Sequence, residues 1–573
     1  MRRPSIQGII HAFEQGRFAP LMRVSAISVL VIALGLVYLF VKFKGFAEAD
    51  AMDQGQIARA IASGEGFSTK YVRPLAIWQL GVAGKDLPAD AFPDFTQQPL
   101  SPLLNAIPLA VLGKDNWKIG PLELIYPSER AIVTLSILFF LASAVIWYWV
   151  GRQLFDVRVA WLGVAGMFLC DLLWQFSLSG LPHMLLLLLF SGACWLILRA
   201  DTAYRNGRMR SFFIHLLLAA AVFGLMTQAH GLGFWFFAGW LAYGIWRFRS
   251  HWLLLAASLV LFGMIQLPWA VRNYAVSGNP LGLAAYTLLW PDDKSDSLMM
   301  RTTEPAFRAQ LGGMRNKVRD GITEQLSNLF PFFGLNLVAL LFFLSLLHQF
   351  KSETVRRFRW CLVLMWLAAS AGMALFGVRG SPVSMNQLHV LFVPVMSFFG
   401  FAFLLVLWGR IGVTEPIYRR LFLTFVLFLG AIPLILTMFF SSGARVQWPP
   451  YLPPFIGALG EWFEPDEVLS SDMPWAVAWY ADRKCVLLPT SPRTLARIND
   501  YRVLGGPVSG LYLTPISANA PLMSGIYKGE YREWAGLITR PPVTTGFFLP
   551  VVLSLPVDGE CILFADRDRW SNR

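Results

Sequence analysis

Apolar residues in this chain come in long unbroken runs rather than in helical or strand-like stripes. The first run, 24–41, follows a basic stretch holding Arg2, Arg3, Arg17 and Arg23. Others cover roughly 130–150, 158–176, 181–199, 212–229, 232–247 and 252–270. After a polar interval come 335–350, 360–378, 387–408 and 420–440. A helix needs about 20 apolar residues to cross a bilayer, so the pattern predicts a polytopic α-helical membrane protein with about eleven spans. The runs at 212–229 and 232–247 form a tight hairpin around His230 and Gly231.

Two polar intervals, 43–128 and 271–334, are too long to be connectors alone. Within the first, 99–113 (PLSPLLNAIPLAVLG) is apolar but short and contains Pro108. That predicts a helix lying in, or dipping into, the membrane interface. Ala47-Glu48-Ala49 has the small-x-small form of a signal cleavage site. Lys42 and Lys44 separate it from an apolar run already long for a signal segment, so a retained first helix is expected.

Basic residues alternate between loops. Arg152 and Arg158, then Arg199, Arg205, Arg208 and Arg210, then Arg247 and Arg249 fall on one side. Lys351, Arg356, Arg357 and Arg359, and finally Arg410, Arg419 and Arg420, fall on the same side. With positive loops inside, the N-terminus (1–23) is cytoplasmic and the C-terminus lies outside. The membrane domain is 24–440, and both long loops and residues 441–573 are extracytoplasmic.

From about Trp448 the pattern becomes that of a soluble domain. EVLSSD (467–472), CVLLP (485–489), GLYLTPI (510–516) and CILFAD (561–566) read as short buried strands. MPWAVAWYADR (473–483) and SPRTLARINDY (491–501) read as helices between them. Alternation of this kind predicts a small α/β layer. No glycine-rich phosphate fingerprint follows a strand, so no nucleotide cofactor is expected there.

Composition sharpens the class. Only 14% of residues are charged and 56% are hydrophobic, against about 25% charge in soluble domains. The net charge of +13 sits mostly in short loops, where it orients helices, so no nucleic-acid partner is expected. Cys170, Cys194 and Cys361 fall in apolar runs, while Cys485 and Cys561 lie where a disulfide can form.

The densest candidate chemistry is 45–74, GFAEADAMDQGQIARAIASGEGFSTKYVRP. It holds Glu48, Asp50 and Asp53, then a helical pattern placing Asp50, Asp53, Ile57 and Ile61 on one face. The pattern stops at Gly64-Glu65-Gly66, and Lys70 and Arg73 follow. Acids followed by cations at a membrane surface suit a reaction on a charged lipid headgroup. The plainer account is a helix start, where carboxylates complement the dipole. Two further polar groups face the same side: Asp171 to His183 between two runs, and Arg272 and Asn273 in PWAVRNYAVSGNP (268–280). Asp171 can equally be hydrogen-bonded at a helix end, His183 and His230 can be interface histidines, and Arg272 can be a lipid anchor. The carboxylates at 48, 50 and 53 could support a divalent cation, Mg²⁺ or Mn²⁺, although no His or Cys spacing accompanies them. P-loop, GxSxG and HExxH motifs are absent.

The order of these pieces resembles the GT-C superfamily of integral-membrane glycosyltransferases. More narrowly it resembles family 39, with protein O-mannosyltransferases and lipid A aminoarabinose transferases. AEADAMDQGQIARAIASGEGF matches that family's acidic first external loop, and the loop aspartate falls on Asp50. PLSPLLNAIPL (99–109), ERAIVTLSILFF with GRQLFDVRVAWLGV (129–164), GLMTQAHGLGFW (224–235) and PWAVRNYAVSGNPLG (268–282) resemble further hallmarks. Aminoarabinose transferases place a second acid where this chain has Pro182 or His183. They place lysines where it has Gln98 and where it has Gln228 or His230.

The resemblance implies an inverting enzyme that takes a sugar from a polyprenyl-phosphate donor to an acceptor hydroxyl on lipid, glycan or protein. Asp50 would be the general base, with Glu48 and Asp53 stabilising the oxocarbenium-like centre. Arg73, Lys70 and Arg272 would meet the donor phosphate, and His183, Asp171, His230, Asn273 and His389 would support the site. Two alternatives remain. One is an O-antigen ligase or polymerase keyed on Arg379 and His389; the other is a transporter or flippase, which would place charges within the spans.

Overall fold

The computed structural model describes residues 19–85, 91–120, 123, 125–289, 299–305, 311–378, 380–413, 415–440, 453–514, 527–529, 531–539, 547–555 and 561–570. Seven helices in these residues are long and apolar enough to cross a membrane. They are Pro127–Leu154, His183–Arg205, Met209–Ala229, Arg249–Ser277, Glu353–Phe376, His389–Ile411 and Pro416–Phe439. An eighth crossing is available if Val157–Phe168 and Asp171–Leu178, bent by 54°, count as one span.

All eleven expected runs contain a helix, but only seven or eight of these are long enough to cross, and two helices are shorter than their runs. Gly233–Arg247 has 15 residues and Leu337–Ser345 only 9. The first run begins within Ala19–Val37 and tightens into a π-turn, Tyr38–Lys42. The short Leu337–Ser345 helix has a physical reason to stop. Arg359, buried in the next helix, donates to the carbonyls of Ser345 (2.5 Å) and His348 (2.8 Å), absorbing acceptors that another turn would need. The apolar stretch 99–113 is a helix of 13 residues, Leu100–Leu112, with Pro108 inside it.

The break at 169–170 is also explicable. Cys170 is extended, and the Trp174 indole donates to the Phe168 carbonyl (2.9 Å) released at the break. The bend delivers Asp171 to Tyr38 Oη (2.5 Å), Gln175 (2.7 Å) and Thr437 Oγ1 (2.8 Å). Lys42 donates to the carbonyls of Thr437 (2.6 Å) and Met438 (3.0 Å), a cation cap on the last helix. The first and last apolar helices are thereby joined at one end of the bundle.

Beyond the bundle lies one six-stranded sheet. Its strands are β1 (Tyr71–Val72), β2 (Val468–Ser471), β3 (Lys484–Leu487), β4 (Val508–Leu513), β5 (Val551–Leu555) and β6 (Cys561–Ala565), in the order β1-β3-β2-β4-β6-β5. The first four are mutually parallel, while β6 runs antiparallel to β4 and β5. The four strands expected from the C-terminal pattern are all present. β1 was not expected, because it comes from the first loop and pairs with β3 across some four hundred residues of chain. Its two residues have no pattern to announce them. The expected helix at 473–483 is a short turn, Pro474–Ala476, continued as a π-turn, Val477–Ala481. The helix expected over 491–501 is Pro492–Asp500, capped by Ser491.

The apolar core of this region is shared. Leu75, Leu80, Phe92 and Phe95 of the first loop pack in one cluster with Leu283, Met299, Val486, Leu511 and Phe564. Cys485 and Cys561 sit on β3 and β6, with β2 and β4 between them. Three inter-strand steps are about 14 Å, too far for a disulfide. We therefore expect alkylation of the denatured, unreduced protein to modify all five cysteines. Modification of only three would show that this pair is bridged.

Candidate active site

The helix Ala49–Ser63 carries the acidic stretch. Glu48 occupies its N-cap position in an extended conformation, Asp50 lies in its first turn, and Gly64 ends it at φ 92°, a left-handed conformation suited to glycine. The sequence pattern expects one buried face, but every residue from 51 to 60 is buried. The Leu100–Leu112 helix packs on it, as does the 474–481 segment of the C-terminal region. Trp479 fits against Gly55, where a Cβ would come within 3.1 Å of the indole.

Burial sorts the three acids of the loop. Asp53 is only 1% exposed. It accepts from Arg73 (2.6 Å) and Gln97 (2.8 Å) on one oxygen and from Gln56 (3.2 Å) on the other. Arg73 lies over the Tyr71 ring at 3.9 Å and reaches a second buried acid, Asp94, at 3.6 Å. Asp94 also accepts the backbone N–H groups of Thr96 (3.0 Å) and Gln97 (2.8 Å). Glu48 and Asp50 remain half-buried at the rim.

Each of the expected phosphate-binding cations has a protein partner. Arg73 bridges Asp53 and Asp94. Arg272 donates to the carbonyls of Asp94 and Phe67 (3.0 Å) and to Asn273 Oδ1 (3.1 Å), and lies over Trp269 at 4.6 Å. It braces the first loop. Lys70 donates to Asp482 (2.7 Å), which also pairs with Arg59 (2.8 Å).

The supporting candidates are dispersed. Asp171 is committed to the helix junction described above. His183 Nε2 donates to the Gln387 carbonyl (3.1 Å) within the bundle. His389 uses both nitrogens: Nδ1 accepts from Trp366 (3.1 Å) and Nε2 donates to Gln325 (3.1 Å). His230 Nδ1 accepts the Leu232 N–H (3.1 Å), and burial pushes its pKa down to about 4. Arg379, the other residue of the ligase alternative, lies outside the described residues.

Of the three loop acids expected to support a divalent cation, Asp53 is committed to protein donors. Both oxygens of Asp53 accept from side chains, and Arg73 bridges Asp53 and Asp94. Among the described residues no three His, Cys, Asp or Glu side chains converge.

Sequence inspection missed a fourth acid, Glu129. Its side chain is fully buried in the first turn of Pro127–Leu154. It accepts from the Phe46 N–H (3.2 Å), the Trp479 indole (2.9 Å) and Tyr480 Oη (2.7 Å). Arg59 lies over the same indole at 5.1 Å and donates to the carbonyls of Ala478 (2.7 Å) and Trp479 (2.8 Å). An acid at the mouth of an apolar run was the available signal. Its partners lie too far along the chain to be read from it.

This arrangement is a bundle of apolar helices with an acidic helix packed between it and a sheet region, a fold shared with solved structures. No family model and no curated protein sequence matches the chain. Solved structures do. One is ArnT from Cupriavidus metallidurans bound to undecaprenyl phosphate, at 12% identity and TM-score 0.57, covering 95% of this chain and 98% of that one. The Archaeoglobus fulgidus oligosaccharyltransferase with zinc and sulfate aligns at 14% identity and TM-score 0.55, covering 89% and 70%. The same organism's AglB with an inhibitory peptide and a dolichol-phosphate aligns at 14% and 0.52, covering 96% and 74%.

The buried acids carry a pH signature. Burial first, then the neighbouring Asp53 charge, push the Asp94 pKa up from 3.8 to about 6, against the opposing pull of Arg73. A carboxyl raised on folding contributes stability that is present below its unfolded pKa and lost as pH rises through the folded one. Between pH 4 and 6, thermal stability of the wild type should therefore fall relative to Asp94→Asn. Parallel profiles would remove Asp94 as the titrating group.

Proposed function

We propose that this protein is an inverting glycosyltransferase of a bacterial cytoplasmic membrane, acting on the extracytoplasmic side. Its donor would be a sugar on a polyprenyl phosphate, and its acceptor a hydroxyl of a lipid, glycan or protein. The observation that carries this reading is the sorting of the loop acids on a fold shared end to end with a transferase structure that holds undecaprenyl phosphate. Asp53 is sequestered with Arg73, whereas Asp50 stands half-buried at the rim of the same rigid helix.

Asp50 would act as general base. The acceptor hydroxyl gives its proton to the Asp50 carboxylate as its oxygen bonds to C1 of the sugar. The C1–O bond to phosphate breaks, and the electron pair leaves with the polyprenyl phosphate. Glu48, two residues away, would stabilise positive charge developing at C1. Asp53 would act through Arg73 and Gln97, holding the helix in register rather than touching substrate. The ligase alternative draws no support from His389, whose two ring nitrogens are both bonded inside the bundle.

The test is sugar transfer from a polyprenyl-phosphate donor extract in membranes carrying equal amounts of wild type or Asp50→Asn. General-base catalysis contributes about 10²–10⁴-fold, and a loss of that order is expected. Transfer at the wild-type rate by Asp50→Asn would move the base elsewhere.

A further inference from the structure

Glu129 marks one end of Pro127–Leu154, where it accepts the Phe46 N–H just ahead of the acidic helix. Gln153 stands near the other end of that helix, about 36 Å away at the usual helical rise. A hydrocarbon core is roughly 30 Å thick, so the two ends reach opposite membrane interfaces. Gln153 donates to Thr202 Oγ1 (3.3 Å), which sets the end of His183–Arg205 at the second interface. Asp201, next to Thr202, is only 6% exposed. Guanidiniums from three helices surround its carboxylate: Arg205 at 3.3 Å, Arg357 at 3.8 Å and Arg247 at 3.9 Å. Arg247 ends Gly233–Arg247, and Arg357 lies in Glu353–Phe376, where it also meets Glu353.

This cluster is electrostatically incomplete. Three guanidiniums face two carboxylates, which leaves one positive charge in excess. Each guanidinium carries five N–H donors, yet neither Asp201 oxygen has a hydrogen-bond partner, and nor does the buried Arg247 Nε. Among the described residues Arg205 and Arg247 donate no hydrogen bond, and Arg357 donates only to Glu353. Asp201 therefore gathers three cations without using their donors. Aromatic rings steady one of them, since Arg247 lies over Tyr204 at 4.9 Å and Phe248 at 5.1 Å. The depth is that of lipid headgroups. Trp149, Trp246 and Trp252 are all exposed at this end of their helices, and tryptophan concentrates in the headgroup layer.

We propose that Arg205, Arg247 and Arg357 form a site for the phosphate of an anionic membrane lipid, on the membrane face opposite the acidic helix. Phosphate oxygens can accept the parallel N–H pairs that the Asp201 carboxylate leaves unused. Basic pockets between membrane helices take anionic headgroups in this way. The site is independent of the transferase reading. Inorganic phosphate offers the same oxygens without the acyl chains, so the experiment separates the two sources.

Phosphatidylglycerol is titrated into the full chain in a neutral detergent, and thermal stability is followed. Phosphatidylcholine and inorganic phosphate are titrated in parallel. Arg205 is the most exposed of the three arginines, so its replacement best spares the fold. Wild type, Arg205→Gln, Arg205→Lys and the exposed Arg158→Gln are compared at equal monodispersity. Saturable stabilisation by phosphatidylglycerol alone is expected for the wild type, unchanged in Arg158→Gln. The apparent Kd should rise about fivefold or more in Arg205→Gln, the loss expected for one cation at a lipid phosphate, and by less in Arg205→Lys. A clasp that only joins helices would lower the melting temperature of lipid-free Arg205→Gln and leave the Kd unchanged, which would overturn the proposal. Equal stabilisation by phosphatidylcholine, or by inorganic phosphate at the same concentrations, would overturn the anionic-lipid assignment. Absence of saturable stabilisation of the wild type would do so as well.

Discussion

A carboxylate taken out of water must be met by a cation or by several donors, and the buried Asp53 imposes that condition on the segments around it. Its partner Arg73 must cross from the following loop, which fixes where that loop runs. Tyr71 lies under the guanidinium, and its strand is the edge of the sheet. Gln97 and Asp94 close the far side, and Arg272 holds the backbone of Asp94 from the membrane domain. Replacing one partner would leave the other charge buried and unpaired, which costs far more than the net worth of the pair.

The second constraint is the socket around Trp479. Phe46 and Tyr126 pack on its ring, Arg59 lies over it, Gly55 makes room for it and Glu129 takes its N–H. These residues come from the first loop and the second apolar run, while Trp479 comes from the C-terminal region. The sheet therefore does more than cover the site. It supplies one wall of the helix that carries Asp50, and β1 ties the two segments by backbone pairing as well. A separate C-terminal α/β layer describes the strand pattern, but its hydrophobic core draws on residues of both long loops.

Within that frame, cations divide into two kinds. Arg59, Arg73, Arg272 and Lys70 hold segments together, because each meets a carboxylate or carbonyl of another part of the chain. Arg205, Arg247 and Arg357 surround one carboxylate and leave most of their donors unused among the described residues. The distinction is invisible in residue type, since all are basic residues. It follows from which donors the fold has already used.

What the sequence determined by itself is what short-range physics can specify. Apolar runs located the helices, alternation located β2, β3, β4 and β6, and the acidic stretch located the helix that opens at Asp50. The family-like order of motifs pointed to the fold that the bundle and sheet adopt. Tertiary structure alone decided the rest. It shortened Leu337–Ser345 through Arg359, broke the run at 169–170 to carry Asp171 to Tyr38, and made a strand of Tyr71–Val72. It also separated Asp50 from Asp53, three residues away on one helix, into a rim acid and a buried ion pair. Hydrophobic periodicity reports how a residue relates to its near neighbours. Burial, ion pairing and free valence depend on segments hundreds of residues apart meeting in space, and no local pattern records which will meet.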